Sequence, residues 1–383
     1  MYSNFHQSPC HIDLSHWFLL HALPLWSNSG IDRSNGGFYE LLKTDLQPIH
    51  VPRRARLIAR QIYFFSTGAS LGWTGPVTEI VDNGYSYLKK HLVSSSGAVC
   101  SSCMADGQLV DGRQQLYDAA FVVLGLAKVA QITPFGSEAE YLARRVIENL
   151  KINAYGGYID LSTPDIQCSN PHMHLFEALL EWIETSNNDS RFWFGLSSQI
   201  ADLVINRLIH PESGGIPEFF DNSWHPLIHP YQFRIEPGHQ FEWSWLLNRW
   251  AKLTSDTLLI DVAARLCYFA ERYGVDSERN VVIESLGLDL TPTSKVSKLW
   301  QQAERLKAWH QLSSVYPTAQ AELNKMAALN TFNLFLSHQT CGLWFDEMDD
   351  SGCFLTKPVK ASSGYHIACA INTISSVQQP SKA

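Results

Sequence analysis

The stretch Tyr155-Gly156-Gly157-Tyr158-Ile159-Asp160 places two glycines before a short run of aromatic and β-branched residues. Such glycines predict a tight turn, and the run behind them favours a short extended segment. Related turns occur at Gly36, Gly97, Gly214 and Gly342, and from Gly36 to Gly214 they follow at intervals of 61, 59 and 58 residues. The last interval, 128 residues, leaves room for two units, with a degenerate turn expected near Gly274. The sequence therefore predicts a structural repeat.

Helix-like segments lie between these turns, so each repeat is a unit that cannot bury its apolar face alone. Helical apolar spacing is seen in residues 116–130, 174–184, 198–208, 239–253, 258–273, 296–312 and 319–338. Two helices in each of six units predict an all-α fold, the (α/α)6 barrel, with short β-hairpin-like turns at one end. Inner helices should be apolar on nearly all sides, as residues 119–130 are. No linker divides the chain, so residues 1–383 are expected to form a single catalytic domain, with residues 377–383 frayed.

Composition restricts the possible partners and the cell compartment. Hydrophobic residues make up 45% of the chain and charged residues 17%, which suits a large core rather than a disordered chain. The net charge is −8 with no basic run, which argues against nucleic acid and anionic membrane surfaces. No apolar stretch is long enough to span a bilayer. Residues 1–6 lack a signal-peptide pattern and the eight cysteines have no framework spacing, so we expect a cytoplasmic protein with reduced thiols.

Two helix starts carry the same pair of titratable residues. Pro237-Gly238 predicts a turn, and the helix after it places His239 and Glu242 one turn apart. His174 and Glu177 repeat this spacing after Asn170-Pro171. In a helical barrel the loops at one end converge on a central funnel, so both pairs are candidates for a shared site. At a helix N-terminus the helix dipole would lower the pKa of His239 and favour its neutral form.

Three further features join these candidates. His366 follows a glycine-bearing loop and precedes a helix, and Trp300 and Glu304 lie one turn apart. Arg60 lies within an apolar and aromatic helix, where a buried guanidinium needs an anionic or polar partner. Histidines can transfer protons near neutral pH without a metal, and a guanidinium can stabilise an oxyanion. These residue types favour proton-transfer chemistry at a polar substrate.

Six blocks of sequence resemble the N-acylglucosamine 2-epimerase superfamily, in that family's order. They are ARQIYFFS from residue 59, LYDAAFVVLGLA from 116, NPHMHLFEALLEW from 170, PGHQFEWSWLL from 237, LWQQAERLKA from 299 and GYHIACA from 364. The forms NPHMH, PGHxFEW and WxQxERLKA are most similar to the D-mannose isomerase branch. The resemblance implies an (α/α)6 barrel that acts on reducing sugars without a cofactor or a metal. It also transfers functional roles to Arg60, His174, His239, Glu242 and His366, and pocket contacts to Tyr117, Trp300 and Glu304, with Glu177 beside them.

On this basis we expect an isomerase that converts D-mannose to D-fructose, or D-lyxose to D-xylulose, through an enediolate. As a hypothesis, His366 moves the proton between carbons, and His239 assists ring opening and proton exchange at the oxygens. Glu242 would orient His239 or bind a hydroxyl. His174 and Arg60 would hydrogen-bond O1 and O2. The expected partner is a monosaccharide, and the chain is expected to be a monomer or homodimer.

Four alternatives stay open at this point. A 2-epimerase of N-acylglucosamine or cellobiose type would use the same groups. A metal-assisted isomerase would use the histidines and Glu242 as ligands, although Cys100 and Cys103 alone do not make a zinc site. A glycoside hydrolase would need two carboxylates, for which Glu242, Glu304 and Asp346 are the candidates. A non-catalytic sugar-binding protein would need only the aromatic residues. A phosphosugar is disfavoured because no Arg/Lys cluster is evident in the sequence.

Overall fold

A computed structural model describes residues 12–185, 190–228 and 233–376. The expectations for residues 1–6 and 377–383 lie outside this part of the chain. The described residues form the following α-helices: α1 (Leu14–Trp17), α2 (Leu23–Ser29), α3 (Ala55–Ser70), α4 (Val77–Tyr87), α5 (Leu116–Ile132), α6 (Gly136–Glu148), α7 (Ser169–Thr185), α8 (Arg191–Leu203), α9 (Pro237–Thr254), α10 (Thr257–Gly274), α11 (Leu299–Val315), α12 (Ala319–Phe335) and α13 (Gly364–Ser376). None of them is long and apolar enough to cross a membrane.

Short segments of other helix types extend this set. A π-helical segment, Phe18–Ala22, joins α1 to α2, and two more, Leu88–Leu92 and Val204–Leu208, continue α4 and α8. A 3₁₀ turn, Ala361–Ser363, leads directly into α13. Each predicted helical segment overlaps a helix of the structure, with differences of a few residues at some ends, whereas α1, α2, α4 and α6 were not predicted.

The helices form two concentric rings. The inner ring consists of α3, α5, α7, α9, α11 and α13, each packed on the next, and α13 packs on α3 to close it. The outer helices α4, α6, α8, α10 and α12 each pack against the inner helix that precedes them, and α1 packs against α13. This arrangement is the predicted (α/α)6 barrel.

Apolar patterning explains which helices lie inside. All eleven residues from Ala119 to Val129 on α5 are buried, because this helix is covered on every side. In outer helix α6 the buried residues follow a spacing of three or four, the pattern of a helix with one covered face. Inner helices also approach closely: a Cβ at Gly125 would lie 3.0 Å from the Cα of Ala59. Glycine at this position therefore lets α5 pack against α3.

The predicted turns have the backbone conformation that favours glycine. Gly36, Gly97, Gly156, Gly214 and Gly342 all have positive φ angles, between 78° and 101°. Each follows an outer helix and precedes the inner helix of the next unit. The sixth, degenerate turn was expected near Gly274, the residue that ends α10. It lies at Asn280, whose φ is 54°, because asparagine also tolerates the left-handed region.

Short antiparallel strands connect the rings: β1 (Leu41–Leu42), β2 (Pro48–Ile49), β3 (Arg53–Arg54), β4 (Ser102–Cys103), β5 (Leu109–Asp111), β6 (Lys151–Ile152), β7 (Tyr158–Ile159), β8 (Gln167–Cys168), β9 (Phe219–Phe220), β10 (Val275–Asp276), β11 (Val281–Val282), β12 (Ser285–Leu286), β13 (Pro292–Ser294), β14 (Ser297–Lys298), β15 (Glu347–Met348) and β16 (Val359–Lys360). The sheet β16–β1–β2 joins the two ends of the chain, with Leu41 opposite Lys360 and Ile49. Strands β3, β8 and β14 lead directly into inner helices. The strands therefore gather at the end where the inner helices begin, as predicted.

Candidate active site

A cavity of about 580 Å³ lies at the end of the barrel where the inner helices begin. Every inner helix contributes a side chain to its wall. Seven residues predicted from the sequence line it: Arg60 on α3, Tyr117 on α5, His174 on α7, His239 and Glu242 on α9, Trp300 on α11 and His366 on α13. The fold therefore assembles one site from six separate helices.

Glu177 and Glu304, predicted as sugar contacts, do not line this cavity. They lie behind its histidines and are almost completely buried. The Nδ1 atom of His366 is 2.8 Å from Oε1 of Glu304, and the Nδ1 atom of His174 is 3.4 Å from Oε2 of Glu177. Each carboxylate therefore supports a histidine, and the predicted spacing of His174 and Glu177 is a direct contact.

His366 is the cavity histidine whose neutral ring can accept a proton. Burial, together with the cations Arg60 and Lys307, lowers its pKa well below the usual value. A neutral imidazole beside Glu304 donates its Nδ1–H to that carboxylate, which leaves the lone pair on Nε2. His366 is therefore a neutral base held in one tautomer.

His239 has the opposite charge state. Burial alone would lower its pKa, but Glu218 and Glu236 outweigh this effect and raise the pKa to about 9. The Nδ1 atom of His239 is 2.6 Å from Oε1 of Glu218 and 3.8 Å from Oε2 of Glu236. The predicted lowering by the helix dipole is therefore wrong, and His239 is an imidazolium. Glu218 was not predicted as a site residue, although it follows the glycine turn at Gly214 by four residues.

This charge state can be measured directly by NMR. Replacing Glu218 by Gln keeps a hydrogen-bond acceptor but removes the negative charge, so the pKa of His239 should fall from about 9 by about one unit or more. Titration of the ring resonances of His239 checks this. Glu347→Gln, which alters a carboxylate outside the cavity, should leave the titration unchanged. An unchanged midpoint in the Glu218 variant would contradict the assignment of Glu218 as the main source of the shift.

Glu242 has a fully buried carboxyl group whose two oxygens find no hydrogen-bond partner among the described residues. Burial and the nearby Glu304 raise its pKa well above the usual value, so it is a neutral acid. Its Oε1 lies 3.7 Å from Nδ1 of His174, whereas His239 is bonded to Glu218. One of the two roles predicted for Glu242 was to orient His239. This role is wrong, because His239 is oriented by Glu218. The unsatisfied oxygens of Glu242 face a cavity and are suited to a ligand hydroxyl.

Trp300 lies beside both candidate proton-transfer histidines. Its ring centroid is 4.9 Å from that of His239 and 5.8 Å from that of His366. A Cβ at Gly238 would lie 2.7 Å from the Trp300 ring. The glycine of the Pro-Gly turn therefore makes room for the indole between the two histidines, and an aromatic face lines the wall against which a sugar could pack.

His174 and Arg60 complete the inner wall. Burial lowers the pKa of His174 to about 3, so this ring is neutral. The guanidinium of Arg60 donates to the Tyr117 hydroxyl at 2.7 Å and lies over the Phe121 ring at 4.0 Å. Within the described ranges, no carboxylate lies in ion-pair distance of Arg60. This part of the wall thus offers a neutral imidazole and an unpaired cation.

The mouth of the cavity carries charges that are largely matched. Arg54 donates to both oxygens of Glu40, at 3.0 and 3.2 Å, and Lys298 is ion-paired with Glu284. Lys360, which also lines the wall, is exposed to solvent. Sequence analysis missed these rim residues because they come from strands and loops that precede the helices.

Among the residues that the structure describes, three groups of side chains have potential ligand atoms close enough together to hold a metal ion. They are His174, Glu177 and Glu242; Glu218, Glu236 and His239; and Glu242, Glu304 and His366. Two of these groups already contain or contact a resident cation, since His239 is charged and the ammonium of Lys307 is 2.6 Å from Glu304. These two groups therefore fit proton transfer between side chains better than metal coordination.

The chain is similar to known proteins over most of its length. The family model for N-acylglucosamine 2-epimerase matches residues 36–370. A mannose-6-phosphate isomerase of Rhizobium meliloti (strain 1021) is 34% identical over 368 residues, which cover 94% of this chain and 95% of that protein. A cellobiose 2-epimerase of Bacteroides fragilis is 23% identical, over 84% of this chain and 87% of that protein. The crystal structure of a D-mannose isomerase superposes with a TM-score of 0.85 at 20% identity, covering 98% of this chain and 100% of that one.

Proposed function

The chain belongs to the N-acylglucosamine 2-epimerase family, and we propose that this isomerase converts D-mannose to D-fructose through an enediolate, without a metal. The observation that carries the proposal is the opposite charge state of two histidines in one cavity. His366 is a neutral base and His239 an imidazolium, and two titratable groups with pKa values pushed apart are the usual basis of an acid–base pair.

The reaction follows from these charge states. Nε2 of His366 removes the proton from C2 of the open-chain aldose, while His239 donates a proton to O1. The electron pair of the broken C–H bond forms the enediol, whose developing negative charge lies against the unpaired guanidinium of Arg60. After its captured proton has exchanged with solvent, His366 delivers a proton to C1, and His239 takes the proton from the O2 hydroxyl, which leaves the ketose. Both histidines end in their starting charge states.

Isomerisation is favoured over epimerisation by the environment of His239. Epimerisation needs a second carbon base on the opposite face of the enediolate, and that base must be neutral in one direction of the reaction. Glu218 and Glu236 hold His239 protonated up to a pKa of about 9. This charge suits proton exchange at oxygen better than removal of a proton from carbon. An epimerase related to the cellobiose 2-epimerases stays the second candidate.

A glycoside hydrolase is not supported by the placement of the carboxyl groups. Glu304 lies behind His366, and Asp346 does not line the cavity but accepts bonds from the Lys360 amide and from Ser363. Glu40 and Glu236 also line the cavity, but they are already paired with Arg54 and Arg234, so among the described residues Glu242 has no unpaired second carboxyl group across a glycosidic bond.

A neutral sugar is favoured over a sugar phosphate by the mouth of the cavity. A phosphate group is usually held by several unpaired cations or backbone amides. Here Arg54 and Lys298 are already paired with Glu40 and Glu284, and the exposed Lys360 alone is a weak phosphate site. D-Mannose rather than mannose 6-phosphate is therefore the proposed substrate.

A proton NMR time course in D2O, after dialysis against EDTA, tests this function. D-Mannose should give fructose that carries solvent deuterium at C1, with a kcat/KM at least about tenfold above that for mannose 6-phosphate, because a dianion meets no free cation cluster. Faster turnover of mannose 6-phosphate would overturn the choice of substrate. Exchange at C2 of N-acetylglucosamine or cellobiose, with mannose inert, would select the epimerase. Loss of activity that returns with added divalent metal would contradict the metal-independent mechanism.

A further inference from the structure

A lysine lies directly beneath the floor of the cavity. Lys307 follows Glu304 by one turn of α11, and both side chains have no exposed surface. The Nζ atom of Lys307 is 2.6 Å from Oε2 of Glu304, 3.4 Å from Sγ of Cys369 and 3.7 Å from the centroid of the Trp245 ring. Glu304 uses its other oxygen to contact Nδ1 of His366 at 2.8 Å. Lys307, Glu304 and His366 therefore form one chain of contacts from the barrel axis to the cavity.

Packing does not account for this lysine. Taking an ammonium out of water is costly, and an apolar side chain of similar length would fill the same space at lower cost. The buried residues of inner helix α5 are mostly apolar, whereas α11 buries several polar and charged side chains, among them Glu304 and Lys307. A charge is therefore retained at this position at the expense of stability, which indicates a role in the site.

We propose that Lys307 is a positioning residue for His366: its ammonium keeps Glu304 ionised, and ionised Glu304 holds His366 with a proton on Nδ1 and the lone pair on Nε2. This inference rests on the proposed function, in which His366 is the base. Lys307 touches neither the cavity nor the substrate, so it acts only through Glu304.

The other charged and titratable groups nearby support the need for this cation. The groups that face the chain of contacts are Arg60 on α3, His174 and Glu177 on α7, His239 and Glu242 on α9 and Cys369 on α13. Burial raises the pKa of Glu304 to about 7, and Lys307 is the largest influence that opposes burial. The ionised Glu177 acts in the same direction as burial. Without Lys307 the pKa of Glu304 would therefore rise further, and its carboxyl group, partly ionised at neutral pH in the wild-type protein, would be protonated there.

An extra proton on this pair would disable the base in either arrangement. If it stays on Glu304, the carboxylic acid donates to Nδ1 of His366, and the ring proton moves to Nε2. If it passes to His366, the ring becomes an imidazolium that is protonated on both nitrogens. In both cases Nε2 carries a proton and cannot accept one from carbon.

Lys307→Met tests this chain of contacts. At pH 7 kcat should fall about 100-fold while KM stays within about threefold, because the base is disabled but the side chains that line the cavity are unchanged. The acid limb of the pH–kcat profile should move up by about one unit or more, since the extra proton leaves at higher pH. In ¹⁵N-histidine spectra, the His366 signals, assigned by their loss in His366→Ala, should show a proton on Nε2.

The double variant Lys307→Met/Glu304→Gln covers the case in which the single variant does not fold. A neutral pair replaces the ion pair, and the carbonyl oxygen of the introduced amide can still accept the Nδ1–H of His366. This variant should keep the Nδ1–H tautomer of His366. Its kcat should be at least about tenfold higher than that of Lys307→Met. Lys128→Met removes another buried lysine, paired with Glu181 outside the cavity, and should leave the pH profile unchanged.

Two results would overturn the role of Lys307. One is a folded Lys307→Met protein with the wild-type His366 spectrum and acid limb. The other is a folded double variant in which Nε2 of His366 is protonated. If wild-type protein turns over no sugar, the proposed function fails, and the spectra still decide whether Lys307 sets the tautomer.

Discussion

His366→Ala should abolish the exchange of the C2 proton of D-mannose, with a loss in kcat of about 10⁴-fold, the upper range for a general base. The imidazole is a neutral, pre-oriented base in the cavity, and its Nε2 atom has no replacement in the same position. The protein should stay folded, because Glu304 keeps its ion pair with Lys307 when the histidine is removed. Deuterium incorporation measured by NMR and a thermal melt together check this result.

The matched control for His366 is His310→Gln. His310 lies on α11, the helix that carries Trp300 and Glu304, but it does not line the cavity, and its Nε2 atom has no hydrogen-bond partner among the described residues. This substitution should leave kcat within about twofold, since it changes no group of the proton-transfer chain. A His366→Ala enzyme that exchanges deuterium within about tenfold of wild type would contradict its role as base.

The repeat architecture could be predicted from the sequence because it is encoded locally. A left-handed φ angle is a property of single residues, so glycines at regular intervals reveal the turns of a barrel. The sixth turn could be placed only approximately, near Gly274, because Asn280 adopts the same conformation without being glycine. The spacing of His174 and Glu177 also reflects a local contact, one turn of a helix.

The charge state of His239 could not be predicted in this way. A helix dipole contributes about 0.3–1 kcal/mol, which is less than one pKa unit, whereas a carboxylate in contact shifts a pKa by roughly 1–3 units. The decisive partner, Glu218, is 21 residues away in the chain and reaches His239 only because β9 and α9 meet in the fold. Lys307 was missed for a similar reason, since nothing in its sequence context shows which face of α11 points to the barrel axis.

Arg60→Met should lower kcat by about 10³-fold with little change in KM, because the guanidinium meets the developing negative charge only in the transition state for enediol formation. In the free protein the Arg60 guanidinium lies over the Phe121 ring and donates a hydrogen bond to the Tyr117 hydroxyl. Neither group carries a negative charge, so the charge of Arg60 is not neutralised. Its Nε atom is buried without a partner among the described residues. Such a group is poorly satisfied until an oxyanion forms beside it. Steady-state kinetics on D-mannose measure this loss.

The stability of the same variant separates this role from a structural one. Methionine fits an aromatic environment, and removing an unpaired buried cation costs no ion pair, so the melting temperature of Arg60→Met should not fall. Arg305→Met is the matched control, because Arg305 is also buried but fully paired with Glu271 outside the cavity. That change should destabilise the protein by roughly 3–5 kcal/mol and leave kcat unchanged. If Arg60→Met instead melted early and kept its kcat, Arg60 would be a structural cation and the enediolate would need another stabilising group.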